Sequence, residues 1–169
     1  MNSLDKIKKI KKDYQDLDKK VQVLIWFPRQ NGDNTKELND LFRRYLFLND
    51  DYKNFLSNYN GISLSWCDFL SAGFSEMPSI FEYIEMWGRW HNMDKFCPIA
   101  KNAAGDVFCF SENGKVWMFD IENIEGKPTL IADSFNLFLN DCVLGKRYSE
   151  FSYTDNNPFY EFLKEQGWV

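Results

Sequence analysis

The sequence predicts a single α+β domain, a mostly antiparallel β-sheet meander with N-terminal and C-terminal helices packed on it. Three observations carry that expectation. Apolar residues recur at three-to-four residue intervals in the first third of the chain and again towards its end. Short, β-rich runs separated by turn residues fill the middle. No internal repeat, low-complexity linker or composition break divides the 169 residues, which suffice for one core burying roughly two thirds of the surface the unfolded chain exposes. Helices, then a meander, then helices argues for helices covering one face or end of the sheet. Residues 1–34 read as an N-terminal helix and extended segment, 35–145 as the body, and 146–169 as a tail with a short helix.

Taken in order, Leu4, Ile7, Ile10, Tyr14 and Leu17 place one amphipathic, Lys-rich helix from Ser3 to about Lys20. Residues 21–27, rich in β-branched and aromatic side chains and stopped by Pro28, form either a short strand or an extended crossing segment. Residues 30–34 make a polar turn. From Thr35, Leu38, Leu41, Phe42, Tyr45 and Leu46 keep helical spacing, and a second helix from Asn49 or Asp50 carries Tyr52, Phe55, Leu56 and Tyr59 until Asn60 and Gly61 end it. Runs 62–66 and 69–74 alternate like strands. Pro78 introduces a helix through Trp90, with Ile80, Phe81, Ile84 and Trp87 inward, unless Gly88 closes it earlier.

Three strand-like runs follow, 96–100, 106–111 and 115–121, parted by a turn at 102–105 and by Asn113-Gly114. The Asn-Gly pair predicts a two-residue hairpin turn, because both residues tolerate positive φ. After a strand at 129–132, Asp133 or Ser134 caps a helix carrying Phe135, Phe138, Leu139 and Val143, which Gly145 terminates, and a last helix spans about 158–166.

The formal charge of −5 is uneven: residues 1–20 contribute +3, so the body is acidic. That balance disfavours nucleic acid and anionic membranes and suits a partner with a basic surface. No apolar run approaches the ~20 residues needed to span a bilayer, and the basic start does not read as a signal peptide. Cys67, Cys97, Cys109 and Cys142 form no CxxC pair and lack a nearby His at metal-ligand spacing. Neither a metal nor a cofactor is expected, and the thiols should be free in a reducing cytoplasm. If the 102–105 turn is symmetric about Ala103, Cys97 and Cys109 fall opposite each other; two reduced thiols are then expected, with Pro98 marking an edge or a distorted ladder.

Four segments together resemble the SUKH superfamily, in the branch containing the fungal glucan-synthesis regulator and many bacterial toxin-immunity proteins. They are residues 48–61 (LNDDYKNFLSNYNG), 98–106 (PIAKNAAGD), 114–117 (GKVW) and 133–139 (DSFNLFL). Their physics is mostly structural: Asn60-Gly61 stops a helix, Pro98 marks an edge or a distorted ladder, Gly105 permits the turn before Asp106, Gly114 belongs to a hairpin turn, and Ser134-Phe135 starts a helix. At 120–122 the sequence departs from the pattern, because many relatives have a His-Glu pair and only Glu122 remains as a counterpart. The resemblance implies a non-catalytic, protein-binding domain. It would act as an immunity protein masking a cognate secreted or contact-delivered toxin, often a nuclease, or alternatively as an intracellular scaffold of the cell-wall-synthesis-regulator type.

The residues themselves offer little chemistry. His91, the one histidine, has no identifiable nucleophile or orienting acid, and no GxGxxG, Walker or GxSxG pattern occurs. Asp50 and Asp51 at a helix start are accounted for by the helix dipole, and Glu122 with Glu125 needs no catalytic role. The lysines at 8, 9, 11 and 12 read as a solvated helix face, with contact to nucleic acid or to an acidic protein as the alternative. The expected partner contact consists of Asp106, Glu112, Asp120 and Glu122, with Trp66 and Trp90 as candidate aromatic anchors and Trp87 in the core.

Overall fold

A computed structural model describes residues 2–29, 32–73 and 76–169. Its centre is a seven-stranded sheet in sequence order, each strand antiparallel to the next. The strands are β1 (Ile25–Trp26), β2 (Ser63–Leu64), β3 (Cys67–Phe69), β4 (Phe96–Asn102), β5 (Val107–Ser111), β6 (Val116–Phe119) and β7 (Thr129–Ala132). The helices are α1 (Ser3–Asp13), α2 (Lys19–Gln22), α3 (Thr35–Arg44), α4 (Asp50–Asn58), α5 (Ile80–Trp87), α6 (Phe135–Leu137), which widens into a π turn over Phe138–Val143, and α7 (Pro158–Glu165).

Paired residues share a face of a sheet, so the register sorts the core. Cys97, Phe110 and Val116 lie on one face with Ala100, Phe108 and Met118. There Phe110 stacks on Tyr52 of α4 at 6.1 Å and Phe108 meets Phe138 at 5.2 Å. Tyr52 and Phe55 reach Phe135 at 5.0 and 5.2 Å, knitting α4 to α6. Val107, Cys109, Trp117 and Phe119 lie on the other face, where Trp87 of α5 meets Phe119 at 5.8 Å. Helices therefore cover both faces, not one face or end. The helix after Pro78 carries an apolar stripe of its own, Ile80, Ile84 and Trp87, all buried, and it needs a surface that α4 and α6 do not already occupy.

Local chemistry accounts for the other departures. The first helix stops at Asp13 and passes through a 3₁₀ turn to extended Leu17, and Asp18 caps a new helix by accepting the Lys20 N–H at 2.7 Å. Leu17 keeps the apolar spacing, which hid the break. Strand β1 shrinks to two residues, because α2 absorbs Val21 and Gln22. Of the turn expected at 30–34, Gln30 and Asn31 lie outside the described residues, as do Phe74 and Ser75 of the run at 69–74. Strand β3 begins earlier, at Cys67, because Ser65 takes a left-handed φ of 57° in the two-residue turn from β2. Helix α5 closes at Trp87 with Gly88 as its cap, and Phe81 is half-buried rather than core.

Two turns differ in register from the sequence expectation. Ser111 N–H donates to the Lys115 carbonyl and Gly114 N–H to the Ser111 carbonyl, so the β5–β6 loop has three residues, with Gly114 left-handed at its end. Between β4 and β5, Cys97 pairs with Phe110 and Pro98 with Cys109, followed by a bulge between Pro98 and Ala100. Cys97 and Cys109 therefore sit one register apart on opposite faces. All four cysteines are free and buried. Pro98 does distort the ladder, but on a central strand.

The flanking segments are tied to the body by one buried cation. Lys6, 6% exposed, donates to the Leu144 carbonyl at 2.9 Å and the Asn140 carbonyl at 3.3 Å, at the C-terminal end of the π turn, and lies 5.2 Å over Trp168. Unpaired carbonyls at a helix end attract a cation. Burial holds the Lys6 amine below its usual value, with Asp141 partly opposing.

Candidate functional site

The turn between β4 and β5 is built on Asn102. Its Oδ1 accepts the N–H groups of Gly105 and Asp106, each at 3.0 Å, and its Nδ2 donates to Asp106 Oδ2 at 2.8 Å. The second oxygen of Asp106 accepts the Ile121 N–H at 3.1 Å, so this half-buried carboxylate binds the turn to the start of the β6–β7 loop. Asp106 holds the end of the sheet together.

That loop, residues 120–128, presents the neighbouring acids. Asp120 accepts the Glu122 N–H at 2.8 Å with the rest of its carboxylate in solvent. Glu122 and Glu125 are exposed, and no ion pair among the described residues uses Asp120, Glu122 or Glu125. The loop is pinned from beneath by His91, whose Nε2 donates to the Ile124 carbonyl at 2.6 Å while its ring packs on Phe119 at 4.6 Å. The bond fixes the protonated nitrogen, since a carbonyl can only accept. Trp90, next in the chain, is 40% exposed.

The six residues singled out from the sequence do not assemble into one patch. Asp106, Asp120 and Glu122 share one end of the sheet. Glu112 sits at the opposite end of β5, 3.3 Å from Lys95 in an exposed ion pair. Trp66 is half-buried, stacked on Phe151 at 4.9 Å and edge-on to Phe108 at 5.5 Å, with its indole N–H buried and unpaired. Only Trp90 offers an exposed ring. Glu125, exposed in the same loop and three residues from Glu122, adds an unpaired acid that the sequence signals by that spacing between Asp120 and Gly126.

The structural residues take these places. Asn60 Nδ2 donates to the Ala72 carbonyl and its Oδ1 accepts the Ala72 N–H, both at 2.6 Å, clamping the end of α4 to the chain after β3. At Gly61, φ is +85° and a Cβ would lie 2.7 Å from that of Met77, so no other residue fits. Ser134 caps α6 through the Leu137 N–H, and Phe135 is fully buried beneath it. Among the described residues no cluster of His, Cys, Asp and Glu could hold a metal ion, and no helix is long and apolar enough to cross a membrane.

An antiparallel meander between helix layers, with Asp106, Asp120 and Glu122 at one end of the sheet, defines an α+β domain. The chain belongs to the SMI1 / KNR4 family (SUKH-1), whose family model matches residues 36–141. The match runs from α3 into the π turn and contains all four resembling segments. A search of curated proteins found no match.

Proposed function

We propose that the chain is a non-catalytic protein-binding domain of the immunity type, which binds and masks a cognate toxin, bacterial and cytoplasmic, and that the 120–128 loop with Trp90 is its contact. The observation that carries this reading is the unpaired state of Asp120, Glu122 and Glu125 on a loop held rigid by His91 and Asp106. Carboxylates without cation partners keep their field for an incoming basic surface, steering encounter. The exposed indole of Trp90, adjacent in the chain to the His91 that pins the loop, would supply apolar area that slows release. Family membership fits such a role and equally fits a regulatory scaffold. His91 has a structural task, in its bond to Ile124 and its packing on Phe119, which supports the non-catalytic reading.

Co-expression with the product of a neighbouring toxin gene should protect cells, and the two proteins should co-purify as a stoichiometric complex. The triple variant D120K/E122K/E125K should slow association by about ten-fold or more at low salt, with the difference shrinking as salt rises. An association rate indifferent to both changes would remove the loop from the contact. Co-purification with a host envelope-synthesis protein instead would favour the scaffold.

A further inference from the structure

Outside the family match, the N-terminal turn and α7 face each other across a groove of about 560 Å³, within the range of roughly 300–1,000 Å³ typical of binding clefts. Its floor is apolar: Leu17, Val21 of α2 and Phe162 of α7, the last two 6% and 7% exposed. Its rim is acidic, from Asp16 and Asp18 on one bank and Glu161 and Glu165 on the other, against Lys20 as the one cation lining it. Glu161 is paired with Lys164 at 2.9 Å, but no ion pair among the described residues uses Asp16, Asp18 or Glu165.

We infer that this groove is a second docking surface, for a basic protein segment that seats an apolar side chain on Leu17, Val21 and Phe162 between lysines or arginines meeting the rim. Charge complementarity selects the occupant. Phosphate-bearing ligands and anionic lipid are repelled by carboxylates on both banks, whereas a cationic segment relieves their mutual repulsion. The apolar floor adds what charge alone lacks, a place where burial of one ring or branched chain contributes stability. The inference stands apart from the loop at 120–128 and does not depend on toxin binding.

The probe is a short, end-blocked peptide with a single Phe flanked by Lys and Arg, compared with its counterpart in which Glu replaces every cation. In NMR titration of the full chain the basic peptide should shift amides of residues 16–21 and 157–166, and the acidic one should not. D16K/E165K should weaken binding by about ten-fold, the scale of two reversed surface charges. Lys20→Glu should tighten it by about three-fold on the same scale, a gain that misfolding would not produce. The variant D120K/E122K/E125K should leave it unchanged, which separates this surface from the other. Equal binding of both peptides, shifts confined to 120–128, or indifference to D16K/E165K and Lys20→Glu would overturn the inference.

Discussion

Between the sheet and the helices on its two faces, ionisable groups are stripped of water and kept neutral. At the end where β4 turns into β5 and β6 leaves for β7, carboxylates stand charged in solvent. Cys67, Cys97 and Cys109 are fully buried, and burial pushes each thiol well above its ordinary value. The acids at the open end divide further. Asp106 accepts hydrogen bonds from Asn102 and Ile121 that hold two loops, whereas Asp120 and Glu122 in the second loop are exposed. Residue type does not decide between holding the fold and meeting a partner; the hydrogen-bond partners supplied by the backbone do.

The closed region gives the largest expected effect. An unfolded thiol titrates at about 8.5, and burial holds the native thiols protonated beyond that, so stability is complete below about pH 8 and falls as pH rises. At pH 10 the three thiols together should remove several kcal/mol. Cys142, raised to about 11, adds in the same direction. Lys6 acts oppositely: burial lowers its native value, the unfolded chain binds its proton longer, and stability rises with pH in that window. Urea unfolding at pH 7 and 10 under reducing conditions measures the balance; a flat profile would mean that the closed region admits water.

Asp106→Ala comes next. It strips a partner from the Ile121 N–H and the Asn102 amide in a half-buried setting, and should cost about 2–3 kcal/mol in urea unfolding. A cost near zero would erase the distinction between Asp106 and its neighbours. His91→Ala should cost about 1–2 kcal/mol through the lost bond to Ile124 and the lost packing on Phe119. Faster amide exchange should then appear within 120–128 and not in β5.

Most of the scaffold was legible because local rules and tertiary packing agree there. Asn49, Ser134 and Asn157 cap helices as their side chains dictate, and the meander follows from turn residues between β-rich runs. Register was less legible. A two- or three-residue reading of the Asn113-Gly114 turn satisfies the same glycine, and the bulge after Pro98 moves Cys97 and Cys109 to opposite faces, a shift for which Pro98 signals a distorted ladder but not the resulting register. The candidate contact was legible as charge but not as use. The bonds from Asn102 and Ile121 separate Asp106 from Asp120, and the second of them joins residues fifteen apart. Trp66 and Trp90 were alike in sequence; the arrival of Phe151 from the tail covers one of them.

Glu112 and Glu122 provide the finest comparison, because both are exposed glutamates and a strand's length of sheet separates their ends. Glu112 shares its field with Lys95, while Glu122 has no cation partner. Neutralising either, as Glu112→Gln or Glu122→Gln, should change stability by less than about 0.5 kcal/mol, the scale of exposed surface substitutions. Their effects on association should differ. Removing one unpaired charge from the proposed contact should slow the low-salt association rate by about two-fold. Removing Glu112 should leave it within error, since Lys95 already offsets that charge at a distance from the contact. If both variants slow association equally, steering depends on net charge alone, and the loop has no claim on the partner beyond its sign.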